Sequence, residues 1–354
     1  MSSAFASLLE QAGFDTSERG FWQRVVMVNN YGQLPAQRLD GGGVTPTEGF
    51  NALVLDRHGA PTHFCKCRPP TKQWIRQTEV CARLSREPAL RKVIPSSSGV
   101  GSTHIHMSIS TYVPGRLLDS MMPGLPPAEL GVALREILEA AETVSTHYAI
   151  VEPAVFRGQT HIELAAEPEW AFGALPPSLL APGQVSVVRQ ALASAGRVRR
   201  VLQHGDLWPR NILRHEGSWK LLDFDSFGRI QVPLYDAFHL VRHCWALRQR
   251  TRRGVGEWVR ASAKLPNHRP SWIESLCSPG AAQVYQRTLG WARQRHGLSD
   301  AEAVGTLAFY LIDMAARMYH RPLVPMQYVE PILGDLVAFA ECLVSGETLA
   351  DAFA

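Results

Sequence analysis

Alternating apolar and polar positions dominate the first third of the chain. FNALVLDRHG at 50–59 reads as a strand ending in a turn, and THFCKC at 62–67 reads as its return, so 50–67 is expected to form a hairpin. HIHMSISTYV at 104–113 alternates in the same way and stops at Pro114-Gly115. Between these, TKQWIRQTEVCARLSR (71–86) has a helical period, with Trp74, Ile75, Cys81 and Leu84 on one side. Pro88 and Pro95 break that pattern. A short helix is expected at 4–12, and a strand or short helix at 21–31. SSSGVGST at 96–103 lacks the G-K-[ST] ending of a phosphate loop and reads as a loop between strands.

Beyond residue 116 the period changes. Residues 127–148 are rich in Ala, Leu and Glu and read as helix, as do 184–200 after a Pro/Gly-rich linker. Residues 201–230 are compact and strand-like, and from Pro233 onward the pattern is helical, interrupted near Pro266, Pro270, Pro279 and Pro322. A β-rich part, 1–112, therefore meets a helix-rich part, 113–354, at a hinge about 110–115.

Composition narrows the class. The 354 residues are 45% apolar, enough for a sizeable core, and no run approaches the length of a membrane span. The N-terminus lacks the basic head and apolar run of a signal peptide, so a soluble, cytoplasmic protein is expected. Lys and Arg total 36 against 32 Asp and Glu, a net +4 that is scattered along the chain and gives nucleic acid little to bind. Six cysteines stand without a CxxC pair or a metal-like spacing and read as reduced thiols. The arginines at 242, 248, 250, 252 and 253 read first as a solvated helix face, and second as a recruiter of anions.

Candidate chemistry concentrates in VLQHGDLWPRNIL, 201–213, and LLDFDSFG, 221–228. Asp206 and Asn211 stand five apart, and a short hairpin returns the chain to Asp223. An Asp, an Asn and a second Asp on one edge supply hard oxygen ligands for Mg²⁺ and one carboxylate able to accept a proton. His204 reads as structural, and Asp236 as an N-cap or a partner of the 201–213 loop.

HGDLWPRN resembles the H-x-D-x-x-x-x-N catalytic loop of kinases, and LLDFDSFG stands where protein kinases carry D-F-G. The HGD form and the following PLYDAFHL are more similar to the aminoglycoside phosphotransferase and choline kinase superfamily. That resemblance implies an α+β, bilobal, protein-kinase-like fold, with a small nucleotide-binding lobe at 1–112 and a larger helical lobe at 113–354 carrying catalysis and substrate binding. It implies an ATP- or GTP-dependent O-phosphotransferase with Mg²⁺. Asp206 would take the proton of the attacking hydroxyl, and Asn211 and Asp223, aided by Asp225, would hold the metal. Lys66, one of only five lysines, would bind α/β-phosphate oxygens and pair with Glu79, or failing that Glu87. Backbone at Gly41, Gly42 and Gly43 would cover the phosphates, and hinge backbone around Thr111, Tyr112 and Val113 would take the purine edge.

Three departures shape the substrate. The lysine that protein kinases place two residues after the catalytic Asp is Trp208 here, with Arg210 and Arg229 nearby in sequence. About ten residues separate Asp223 from the next helix, too few for an activation segment, which disfavours a protein Ser/Thr kinase. Residues 230–354 carry 13 basic and 11 acidic groups, so a small hydroxylated acceptor that is neutral or anionic is favoured over a polycation. A catalytically dead nucleotide-binding scaffold is the remaining competitor.

Overall fold

A computed structural model describes residues 3–28, 49–102, 105–156, 158–253, 271–277, 283–320, 326–346 and 349–353. Packing divides the chain into two compact units, Met1–Arg116 with Leu213–Asp225, and Leu117–Ile212 with Ser226–Ala354.

The first unit is built on strands β1 (Val25–Val28), β2 (Phe50–Leu55), β3 (Pro61–Arg68), β4 (Ser97–Gly101) and β5 (His106–Thr111). They form one antiparallel sheet in the order β1-β2-β3-β5-β4. Period-two alternation sends Ala52, Val54, Cys65, Cys67, Met107 and Ile109 to one face. There they meet Phe5, Leu8 and Leu9 of helix α1 (Ser3–Gln11) in the unit's core. Helix α2 (Lys72–Leu84) is capped by the Thr71 hydroxyl, which accepts from Trp74 N. It is tied to β5 by Trp74 Nε1–H, which donates to His106 O, and by Thr78, 2.5 Å from His106 Nε2.

Ser97–Gly101, read from sequence as a loop, is an edge strand paired along its length with β5. Its Ser/Gly composition carries no apolar alternation because its burial pattern is mostly exposed. Of residues 21–31, Phe21–Arg24 form a 3₁₀ turn and Val25–Val28 form strand β1, while 29–31 lie outside the described residues. A second hairpin, Ile212–His215 with Ser218–Leu221, turns at Glu216 and Gly217, both at positive φ (47° and 77°). It joins the first unit where Leu221 N donates to Val93 O at 2.7 Å and Lys220 Nζ to Arg91 O at 2.5 Å.

Gly49 opens β2 at φ +80°, and a Cβ there would lie 2.0 Å from Cys67 O. Gly49→Ala is therefore expected to destabilise the chain by about 3 kcal/mol or more, measured as a lowered denaturation midpoint.

The second unit is helical. Its principal helices are α3 (Pro127–Val151), α4 (Pro182–Ala195), α5 (Tyr235–Arg253), α6 (Trp272–Cys277), α7 (Gln283–His296), α8 (Asp300–Tyr319) and α9 (Met326–Ser345). Helix α8 starts with a Ser299–Glu302 capping box and buries residues on nearly every side, as a central core helix does. Gly305 lets it approach α4, since a Cβ there would fall 2.3 Å from the Ala195 Cβ. Arg242 is not on a solvated face: its side chain is 12% exposed and pairs with the buried Asp335 at 2.7 Å. Asp335 also accepts from Ser271 Oγ and Trp272 N, which anchors the start of α6. Arg248 is likewise engaged, donating to Leu125 O.

A sheet unit and a helical unit of this make-up are the two lobes of a bilobal α+β, protein-kinase-like fold, the class expected from the sequence. Among the described residues no helix is long and apolar enough to cross a membrane.

Candidate active site

In the first unit, β3 carries Lys66 on the sheet face opposite the Cys65/Cys67 core. Its ammonium lies 2.6 Å from Asp223 and 3.1 Å from Asp225, with its side chain only 11% exposed. Burial opposes the Lys66 charge, but the two carboxylates outweigh it and raise the pKa. Partial burial and the adjacent Asp223 charge raise the Asp225 pKa against the pull of Lys66. Asp223 sits at φ 60°, a region that Asp tolerates better than most residues and that recurs at functional sites.

The expected Lys66–Glu79 pair is not formed here. Thr78 and Ala82 point α2 at the sheet, and Glu79, a helical step away from Thr78, is exposed. Directly opposite Lys66 on β2 is Asn51, 2% exposed, whose Oδ1 has no hydrogen-bond partner among the described residues. At the hinge, Thr111 N and Tyr112 N donate to Ser96 O and Thr62 O, while the Val113 N–H has no partner among the described residues. Gly41, Gly42 and Gly43 lie outside the described residues.

In the second unit the 201–212 loop is shaped from behind. Buried Asp236, at the start of α5, accepts from His204 N at 2.6 Å and Gly205 N at 2.9 Å. Its own N–H donates to Gln203 Oε1. Gly205 makes the turn at φ +77°, with Ser226 O 3.0 Å from where a Cβ would stand, so the middle residue of His204-Gly205-Asp206 needs to be glycine. Burial raises the Asp236 pKa, partly offset by His204 and the two N–H donors. His204 is buried and offers its backbone to this latch, in keeping with a structural role.

The turn delivers Asp206, whose side chain is 45% exposed, and Asn211, which is buried. Asn211 Nδ2 donates to both Asp206 O (3.0 Å) and Asp206 Oδ2 (3.1 Å). With its amide hydrogens so committed, the oxygen of Asn211 is left to accept or ligate. Arg210 does not reach back to Asp206: it donates to Asp119 at 3.1 Å and lies over the Trp208 ring.

His239 was not singled out from the sequence, yet its Nε2 lies 3.5 Å from Asp206 Oδ1. Its signal was the i+3 spacing from Asp236, which puts both side chains on the face of α5 that meets the loop.

The residues fit a divalent cation by their chemistry. In the first unit Asp223 and Asp225 bring two hard carboxylates to one ammonium, and in the second Asn211 carries an amide oxygen besides its donating Nδ2. No group of three or more His, Cys, Asp or Glu among the described residues could hold a metal alone. Mg²⁺ takes one or two carboxylates and completes its shell with phosphates and water.

The sheet unit thus carries a buried lysine between two aspartates, and the helical unit holds an aspartate against an asparagine. The chain belongs to the phosphotransferase enzyme family, whose sequence model matches residues 51–270. By family and fold it is an O-phosphotransferase of small molecules. Similar solved structures include a glucosamine kinase, 14% identical over 92% of this chain and 80% of that one, with TM-score 0.44. A choline/ethanolamine kinase family protein from Mesorhizobium loti is 16% identical over 91% and 93%, TM-score 0.43. An aminoglycoside phosphotransferase from Streptomyces rimosus is 17% identical over 86% and 97%, TM-score 0.40. No curated protein matches the sequence.

Proposed function

We propose that the chain transfers the γ-phosphoryl group of ATP or GTP to a hydroxyl of a small molecule, a sugar, aminocyclitol or amino alcohol, with Asp206 as the base. The observation that carries this reading is the Asp206–Asn211 pair, in which a half-exposed carboxylate is oriented by an amide.

Asp206 accepts the acceptor's O–H proton as the oxygen attacks phosphorus, so the new P–O bond forms while the bond to the nucleoside diphosphate breaks. Transfer is direct and in-line, the acceptor oxygen attacking phosphorus with no phospho-enzyme between. Lys66 binds α/β-phosphate oxygens, releasing its carboxylates as it does so. Asn211, Asp223 and Asp225 are the residues that would hold Mg²⁺, which when bound neutralises charge developing on the phosphates. The Val113 N–H is the hinge donor left to meet the purine edge. A neutral or anionic acceptor suits the mildly basic charge balance of the chain.

A panel of sugars, aminocyclitols and amino alcohols, assayed for ADP or GDP release, tests the reading. At least one compound should accelerate release, EDTA should abolish the effect, and Asp223→Asn should lower it by about 10²-fold. Nucleotide turnover that no hydroxyl compound accelerates contradicts it.

A further inference from the structure

Helix α5 presents a second histidine and an aromatic cluster behind the 201–212 loop. His239 is 4% exposed, with Nε2 3.5 Å from Asp206 Oδ1. An ionised carboxylate only accepts hydrogen bonds, so the ring nitrogen facing it has to carry the hydrogen. Nδ1 is then a bare acceptor, and it is buried without a partner among the described residues. Two buried donors in the same cluster also lack partners, Tyr310 Oη and Trp272 Nε1. The His239 and Tyr310 rings stand 6.2 Å apart and those of Tyr310 and Trp272 6.3 Å apart. Burial pushes the Tyr310 pKa up, so its hydroxyl stays a neutral donor.

Tyr235 stacks on His239 at 6.4 Å, and His243 packs against it at 4.3 Å, donating Nδ1–H to His239 O. Asp236 is committed to the loop backbone, and Arg242 to Asp335. Burial, His239 and Arg242 together hold the His243 pKa well below its usual value, so His243 is neutral. The far side of His243 meets the Trp208 ring at 5.9 Å.

We propose that His239 is a positioning residue for phosphoryl transfer: its Nε2–H holds the Asp206 carboxylate in the orientation from which it takes the acceptor's proton. The inference rests on the reading of Asp206 as the base. The proton passes from the acceptor hydroxyl to Asp206.

The test compares His239→Phe and His239→Gln in the full chain, measuring MgATP turnover with a panel acceptor, or with water where none is found. His239→Phe keeps the ring and loses the donor, and kcat should fall by about 10-fold with KM for ATP unchanged. Its acid limb should move to higher pH, because a hydrogen bond to the carboxylate favours the ionised form. His239→Gln places an N–H near the Nε2 position and should recover most of the loss. Equal rates and pH limbs for both variants and the wild-type chain, or equal losses in both, overturn the proposal. Should His239→Phe fail to fold, ¹⁵N-histidine spectra of the wild-type chain decide: an Nε2–H tautomer for His239 upholds the proposal, and an Nδ1–H tautomer overturns it. An inactive Asp206→Asn alongside unaffected His239 variants rejects this inference alone, whereas an active Asp206→Asn removes the base assignment beneath it.

Discussion

Asp206→Asn should lower kcat by about 10²–10⁴-fold while leaving KM for nucleotide nearly unchanged. That range corresponds to about 3–5 kcal/mol of transition-state stabilisation. The asparagine is nearly isosteric and keeps one oxygen to accept from Asn211, so most of the loop geometry survives. What it loses is the capacity to accept a full proton from the acceptor. Nucleotide contacts assigned to Lys66 and Val113 involve other residues, which is why the effect belongs in kcat. Steady-state kinetics on a panel acceptor, with unfolding temperature as the control, checks both halves of the expectation.

The second large effect is on the fold of the loop. Asp236→Ala removes the acceptor of two backbone N–H groups, at His204 and Gly205. Left buried without partners, these cost about 2–5 kcal/mol, a fall in Tm of about 5–15 °C for a unit of this size. Turnover should fall as well, because Asp206 is the next residue along. The pH dependence has a definite sign. Burial raises the Asp236 pKa above its ordinary 3.8, so across that interval the folded state holds the proton more tightly than the unfolded one. The stability linked to this carboxyl is complete below 3.8 and is lost as pH rises through the folded value. The variant lacks that slope, which denaturation measured at several pH values would show.

Sequence and structure agree where local pattern is enough to specify an element. The alternation in 50–67 and 104–113 places Ala52, Cys65 and Met107 on one face of the sheet and therefore Lys66 on the other. The spacing of His204, Asp206 and Asn211 was legible because a single turn brings an acid and an amide together. Lys66's partners were not. Four carboxylates, Glu79, Glu87, Asp223 and Asp225, were available in sequence, and the two that meet it are 157 and 159 residues away. Their arrival depends on the 212–221 hairpin docking on Arg91 and Val93, a long-range contact with no local signature. Edge strand β4 was missed because backbone pairing to β5 stabilises it without an apolar face. Arg242 was taken for a surface residue because its partner, Asp335, lies on a helix ninety-three positions away. His239 escaped notice because a lone histidine in an apolar run usually reads as core, and only the packing of α5 against the loop gives it a target.

The most direct test follows the phosphoryl group itself. ATP labelled in the γ-phosphate is incubated with Mg²⁺ and the hydroxyl panel, using the wild-type chain and Asp206→Asn side by side, and the products are separated. The account predicts a labelled phosphomonoester of at least one panel compound, formed at least about 10²-fold faster by the wild-type chain. Label that never leaves the nucleotide for any hydroxyl compound, or that Asp206→Asn transfers as fast as the wild-type chain, would contradict it.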